Sequence, residues 1–87
     1  MTNFRAISNY LVQNVKRVDK MKKFAERLRE LRIEKGLSIG NLAKEVGIGS
    51  SSICRWENEQ ADVKGSQLII LSNFFGVTVD YLLGLED

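Results

Sequence analysis

Between two apolar anchors, Ile48 and Trp56, the chain places Gly49, three consecutive serines, Cys54 and Arg55; Glu57, Asn58 and Glu59 follow. So dense a run of hydrogen-bonding groups raises the question of catalysis, and the composition argues against it. The sequence of 87 residues contains no histidine, which removes imidazole acid–base chemistry and any histidine metal site. Its one cysteine, Cys54, has no histidine to activate it and reads as inert. There is no phosphate-cradling glycine loop of either standard type. Glu57 and Glu59 sit among polar neighbours and read as solvated surface acids. An enzyme is therefore not expected, nor is a cofactor, a metal or a small-molecule substrate.

Charge points elsewhere. Residues 1–35 hold ten Lys and Arg against four Asp and Glu, a balance of +6, whereas residues 36–87 hold three against seven, a balance of −4. A basic first third steers a protein toward a polyanion, although a solvated helix face has the same composition. With 44% hydrophobic and 28% charged residues the chain reads as one small globular domain with a thin core. No apolar run is long enough to cross a bilayer and no secretory signal is evident, so no membrane is expected. A single cysteine cannot form an internal disulfide, which suits a reducing cytoplasm.

Helices must position these groups. Proline is absent, so apolar spacing and glycine punctuation carry the reading. Phe4, Ile7, Leu11, Val15 and Val18 form a helical stripe, with Asn3 able to cap its start. Phe24, Leu28 and Leu31 form a second, closed by Gly36. Ser38 reads as an N-cap for Ile39, Leu42, Ala43 and Val46, a run that Gly47 ends. Gly49 or Ser50 starts the next helix, with Ile53 and Trp56 facing inward. After the polar connection "EQADVKG" come Leu68, Leu71, Ser72 and Phe75, stopped by Gly76. Thr78 caps a last short helix through Val79, Leu82 and Leu83, ended by Gly84. The expected fold is all-α: an N-terminal helical extension over residues 1–21 and a domain of five short helices over residues 22–87. Met21-Lys22-Lys23-Phe24 also reads as an alternative start, which would make residues 1–20 an appended piece.

Residues 39–58 have the spacing of two helices joined by a tight turn. Ala43 is small where the second helix crosses the first, Gly47 accepts a positive φ in the turn, and Ile48, Ile53 and Trp56 cover the apolar wedge. With that spacing, "FAERLRELRIEKGLSIGNLAKEVGIGSSSICRWENE" followed by "LSNFFGVTVDYLLG" resembles the phage-repressor-like (XRE, Cro-type) helix-turn-helix family over roughly residues 22–85, about three quarters of the chain. The resemblance implies a lambda-repressor-like domain and a sequence-specific regulator of transcription, most simply a repressor, that binds double-stranded DNA as a homodimer.

Carried over by position, the resemblance makes the helix near residues 50–58 the recognition helix. Ser50, Ser51 and Arg55 fall at base-reading positions, Arg55 having the two donors that match guanine O6 and N7. One serine is expected to cap the helix and another to face DNA. Asn58, Lys22, Lys23, Lys44 and Lys64 are the expected backbone contacts. Arg32 and Glu57 match positions that often bridge the first and third helices, a structural role they would share with Ala43, Gly47, Ile53 and Trp56. The chain also departs from the family. Ile39 and Gly40 stand where relatives often carry a phosphate-holding glutamine, and the connection after Asn58 holds Glu59 and Asp62 against one lysine. The basic residues lie upstream instead, at Lys16, Arg17, Lys20, Lys22, Lys23 and Arg27. These departures keep a second reading open, a protein-interaction module such as an antitoxin or inhibitory partner. The extension is expected to self-associate or fold back on the domain.

Overall fold

The computed structural model describes residues 21–87, and among these the backbone is helical with no strand. The extension, with its apolar stripe and its pairing, lies outside the described residues. Five helices follow in order: α1 over residues 21–34, α2 Ile39–Val46, α3 Ser50–Glu57, α4 Gly65–Phe75 and α5 Val79–Leu82. None is long and apolar enough to cross a membrane.

The apolar stripes converge on one core. Phe24 and Leu28 of α1, Leu42 of α2, Ile53 of α3, Leu71 of α4 and Leu82 of α5 are fully buried, so every helix contributes at least one sealed side chain. Each such burial stabilises the fold by about 1.5–3 kcal/mol. Trp56 lies in this core with its ring edge-on to Phe24 at 5.8 Å between centroids, and its indole N–H donates to the Asp62 carbonyl at 3.3 Å. Leu31, Ile39, Ala43, Val46, Phe75, Val79 and Leu83 are half-buried against it, while Ile69 and Ile70, off the α4 stripe, are exposed.

The C-terminal segment is tied back to α1. Arg27 stacks its guanidinium over the Tyr81 ring, 4.2 Å from the centroid. Its Nη1 donates to the Tyr81 carbonyl at 2.6 Å and also to the Glu86 carbonyl. Gly84, at φ 78°, passes so close to α1 that a Cβ there would lie 2.5 Å from Lys23 Cβ. Arg27, one of the upstream basic residues, is thus turned toward the chain's own C-terminal segment.

Candidate nucleic-acid interface

The turn between α2 and α3 sets how α3 is presented. Ser38 caps α2 as expected, its Oγ accepting from the Asn41 N–H at 3.0 Å. Gly47 ends α2 at φ 68°, where a residue with a Cβ is strained. Its N–H and that of Ile48 both donate to the Ala43 carbonyl, at 2.9 and 3.2 Å. Ile48 is then buried, and Gly49 leads into α3 in an extended conformation.

Within α3 and its C-cap Asn58, Ile53 and Trp56 face the core; Ser50, Ser51, Cys54, Arg55 and Asn58 are exposed. At about 100° per residue these five positions span an arc of about 140° on the opposite side. The arrangement joins hydroxyls and a guanidinium on one outward stripe. No hydrogen bond or ion pair engages the Arg55 guanidinium among the described residues. Cys54, which the sequence reading set aside, lies inside this arc, and the signal was its spacing of four from both Ser50 and Asn58.

The serines do not divide as expected. Gly49 is the N-cap and makes no side-chain bond, so no serine caps α3. Ser50 and Ser51 begin the helix, exposed, and Ser52 is half-buried. The Ser52 and Ile53 amides donate to the Gly49 carbonyl at 3.1 and 3.3 Å. The Ser50 and Ser51 amides are the open ones at this end, since the first N–H groups of a helix have no intrahelical acceptor.

At the other end, Asn58 closes its own helix: its side-chain amide donates to the Cys54 carbonyl at 2.9 Å and to Cys54 Sγ at 3.5 Å. Glu57 is not a solvated surface acid. Its side chain is only 5% exposed and meets the Arg32 fork at both oxygens, Nε to Oε2 at 2.7 Å and Nη2 to Oε1 at 2.8 Å. Arg32 Nη1 also donates to the Leu37 carbonyl at 2.9 Å, so one guanidinium joins α1, the approach to α2 and the end of α3. The hydrogen bond to Glu57 holds the Arg32 guanidinium above its usual range, against the opposing effect of burial, and the group stays charged.

The lysines are spread around the domain. Lys44 is exposed in the last turn of α2. Lys64 is exposed at the start of α4, where its backbone N–H donates to Gln67 Oε1 at 3.1 Å. Lys22 and Lys23 are both exposed on α1, the stem of Lys23 lying close to Gly84 on the edge α1 shares with the C-terminal segment.

A helix-turn-helix family model matches residues 28–82. The chain is similar to YobD of Bacillus subtilis, an HTH-type transcriptional regulator, with 39% identity over 64 residues that cover 74% of this chain and 57% of YobD. It is also similar to the HTH-type transcriptional regulator ImmR of Bacillus subtilis, with 32% identity over 71% of this chain and 49% of ImmR. The chain thus spans about half the length of these curated relatives. Among solved structures it is similar to the restriction-modification controller protein C.AhdI from Aeromonas hydrophila, with a TM-score of 0.65 and 34% identity over 71% of this chain and 94% of that one.

Proposed function

The chain belongs to the XRE-type helix-turn-helix family, and from that premise we propose that it is a sequence-specific regulator of transcription, reading double-stranded DNA with α3 in the major groove. The observation that carries this reading is the sorting of α3: Ile53 and Trp56 are sealed in the core while Ser50, Ser51 and Arg55 stand together on the free side. In such docking the N-terminal residues of the second helix reach base edges. Arg55 donates in bidentate fashion to a guanine, and the two serines add weaker contacts. The open amides of Ser50 and Ser51 donate to a phosphate oxygen at the positive end of the helix. Lys22, Lys44 and Lys64 supply further phosphate contacts; Asn58, its amide turned to its own helix, contributes less, as does Lys23, whose stem lies along the Gly84 edge.

As a homodimer the protein would set two α3 helices about 34 Å apart, in successive major grooves. Repression by occupancy of such a site, in the cytoplasm, is the simplest mode. Selection of duplexes from a random pool, followed by mobility-shift titration of the recovered sequence, tests the reading. Arg55→Ala is expected to weaken the selected site by about 1–3 kcal/mol and to relax preference at one base pair. Unchanged preference would reject the role of Arg55. Failure to select any duplex, with a stoichiometric protein captured instead, would favour the interaction-module reading.

A further inference from the structure

Among the described residues, Glu59 is the single residue other than glycine with a positive φ, at 59°. It directly follows Asn58, the C-cap of α3. Two backbone bonds impose its conformation: the Gln60 N–H donates to the Arg55 carbonyl at 2.7 Å, and the Glu59 N–H donates to the Trp56 carbonyl at 3.1 Å. That paired closure requires a left-handed residue, and glycine fills the position at least cost because a Cβ crowds the backbone there. Among the described residues Glu59 gains no side-chain bond in compensation: its side chain is exposed and makes no hydrogen bond or ion pair. Glu57, two residues earlier, is the contrast, with both of its oxygens held by Arg32. One carboxylate at the end of α3 is consumed inside the domain and the other is displayed.

The place of that display matters. At 1.5 Å per residue, the eight residues of α3 span about 12 Å, about the width of the major groove. A helix lying there has its far end beside a row of phosphates. We propose that Glu59 is an affinity-limiting residue of the DNA interface: its carboxylate repels the phosphate row, so that a duplex offering only phosphate contacts does not hold the protein and base contacts from α3 become necessary. The proposal rests on the reading of α3 as the DNA-reading helix. Sequence-independent affinity is set by phosphate electrostatics, and a fixed like charge beside the backbone opposes that attraction and is screened by salt.

Mobility-shift titration against a random-sequence duplex tests this with two variants. Glu59→Gln removes the charge and keeps the backbone cost. It is expected to tighten binding about three- to tenfold at about 50 mM salt, and by less at about 200 mM. Glu59→Gly is expected to tighten binding equally and also to raise Tm by a few degrees, because it relieves the left-handed backbone. Unchanged affinity of Glu59→Gln at the lower salt overturns the proposal, whatever the Tm of the glycine variant. A parent protein that binds no duplex at either salt, and recovers none from a random pool, removes the DNA reading of α3 and this proposal with it. The two failures are therefore distinguishable.

Discussion

The two helices of the central motif are the same length, eight residues each, but their ends are finished differently. Ser38 gives the start of α2 a side-chain acceptor, and Gly47 takes the left-handed position at its end. At the start of α3 stands Gly49, which offers no acceptor, and the left-handed position beyond its end is filled by Glu59. Each choice in α2 lowers the free energy of the helix itself. Each choice in α3 leaves it higher than the alternative would. A short helix is marginal on its own and depends on tertiary packing, and α3 depends on it more than α2: what holds it is Ile53, Trp56 and the Arg32–Glu57 bridge. Local imperfection at both ends of α3 coincides with the surface proposed to touch DNA.

The contrast can be broken most forcefully at Arg32. Arg32→Ala strands a nearly buried Glu57 carboxylate and frees the Leu37 carbonyl, and is expected to destabilise the domain by about 3 kcal/mol in a denaturant titration. A loss well under 1 kcal/mol would mean that α3 is held by its own ends after all. Ser38→Ala removes the α2 cap and is expected to cost about 1 kcal/mol, measured the same way. No loss there would erase the distinction from the α2 side. The smallest effect sharpens the contrast from the other side. A Cβ at Gly49 meets nothing nearer than Ser51 Oγ at 4.0 Å, so Gly49→Ser should be accommodated and is expected to gain a few tenths of a kcal/mol. It also covers the open amide of Ser51, so its affinity for the selected duplex should fall while its stability rises. A fall in both would show that the glycine is needed for its backbone and not for what it leaves open.

Much of this architecture was legible in the chain because it is local. The stripes of Phe24 and Leu28, of Leu42, of Ile53 and Trp56, and of Leu68 and Leu71 are buried as their spacing requires. Ser38 and Thr78 cap their helices through bonds to the third residue on, which is a property of neighbouring residues. The start of α3 at Ser50 was legible, but the expected serine cap failed, because three adjacent serines offer several caps and only the backbone decides which residue lies outside the helix. The left-handed state of Glu59 had no local signal, since it follows from how the chain must turn after α3. Arg27 pairs with residues 54 and 59 positions away, and no spacing rule reaches that far. Arg32 and Glu57 were placed together by the family resemblance, not by the residues themselves, and the same resemblance made Arg55 a reader and Asn58 a phosphate contact. For Asn58 the geometry shows an amide turned back to its own helix.

Trp56 is the chain's single tryptophan, 3% exposed, with its indole N–H on the Asp62 carbonyl. An indole so enclosed fluoresces as an apolar chromophore, and its emission moves to the red when water reaches it. That happens here when α3 separates from Phe24 of α1 or from the connection that carries Asp62. Without any label, one optical signal therefore reports whether the helix is seated, and an unshifted spectrum at a DNA concentration that a mobility shift shows to be saturating identifies docking of a preformed surface.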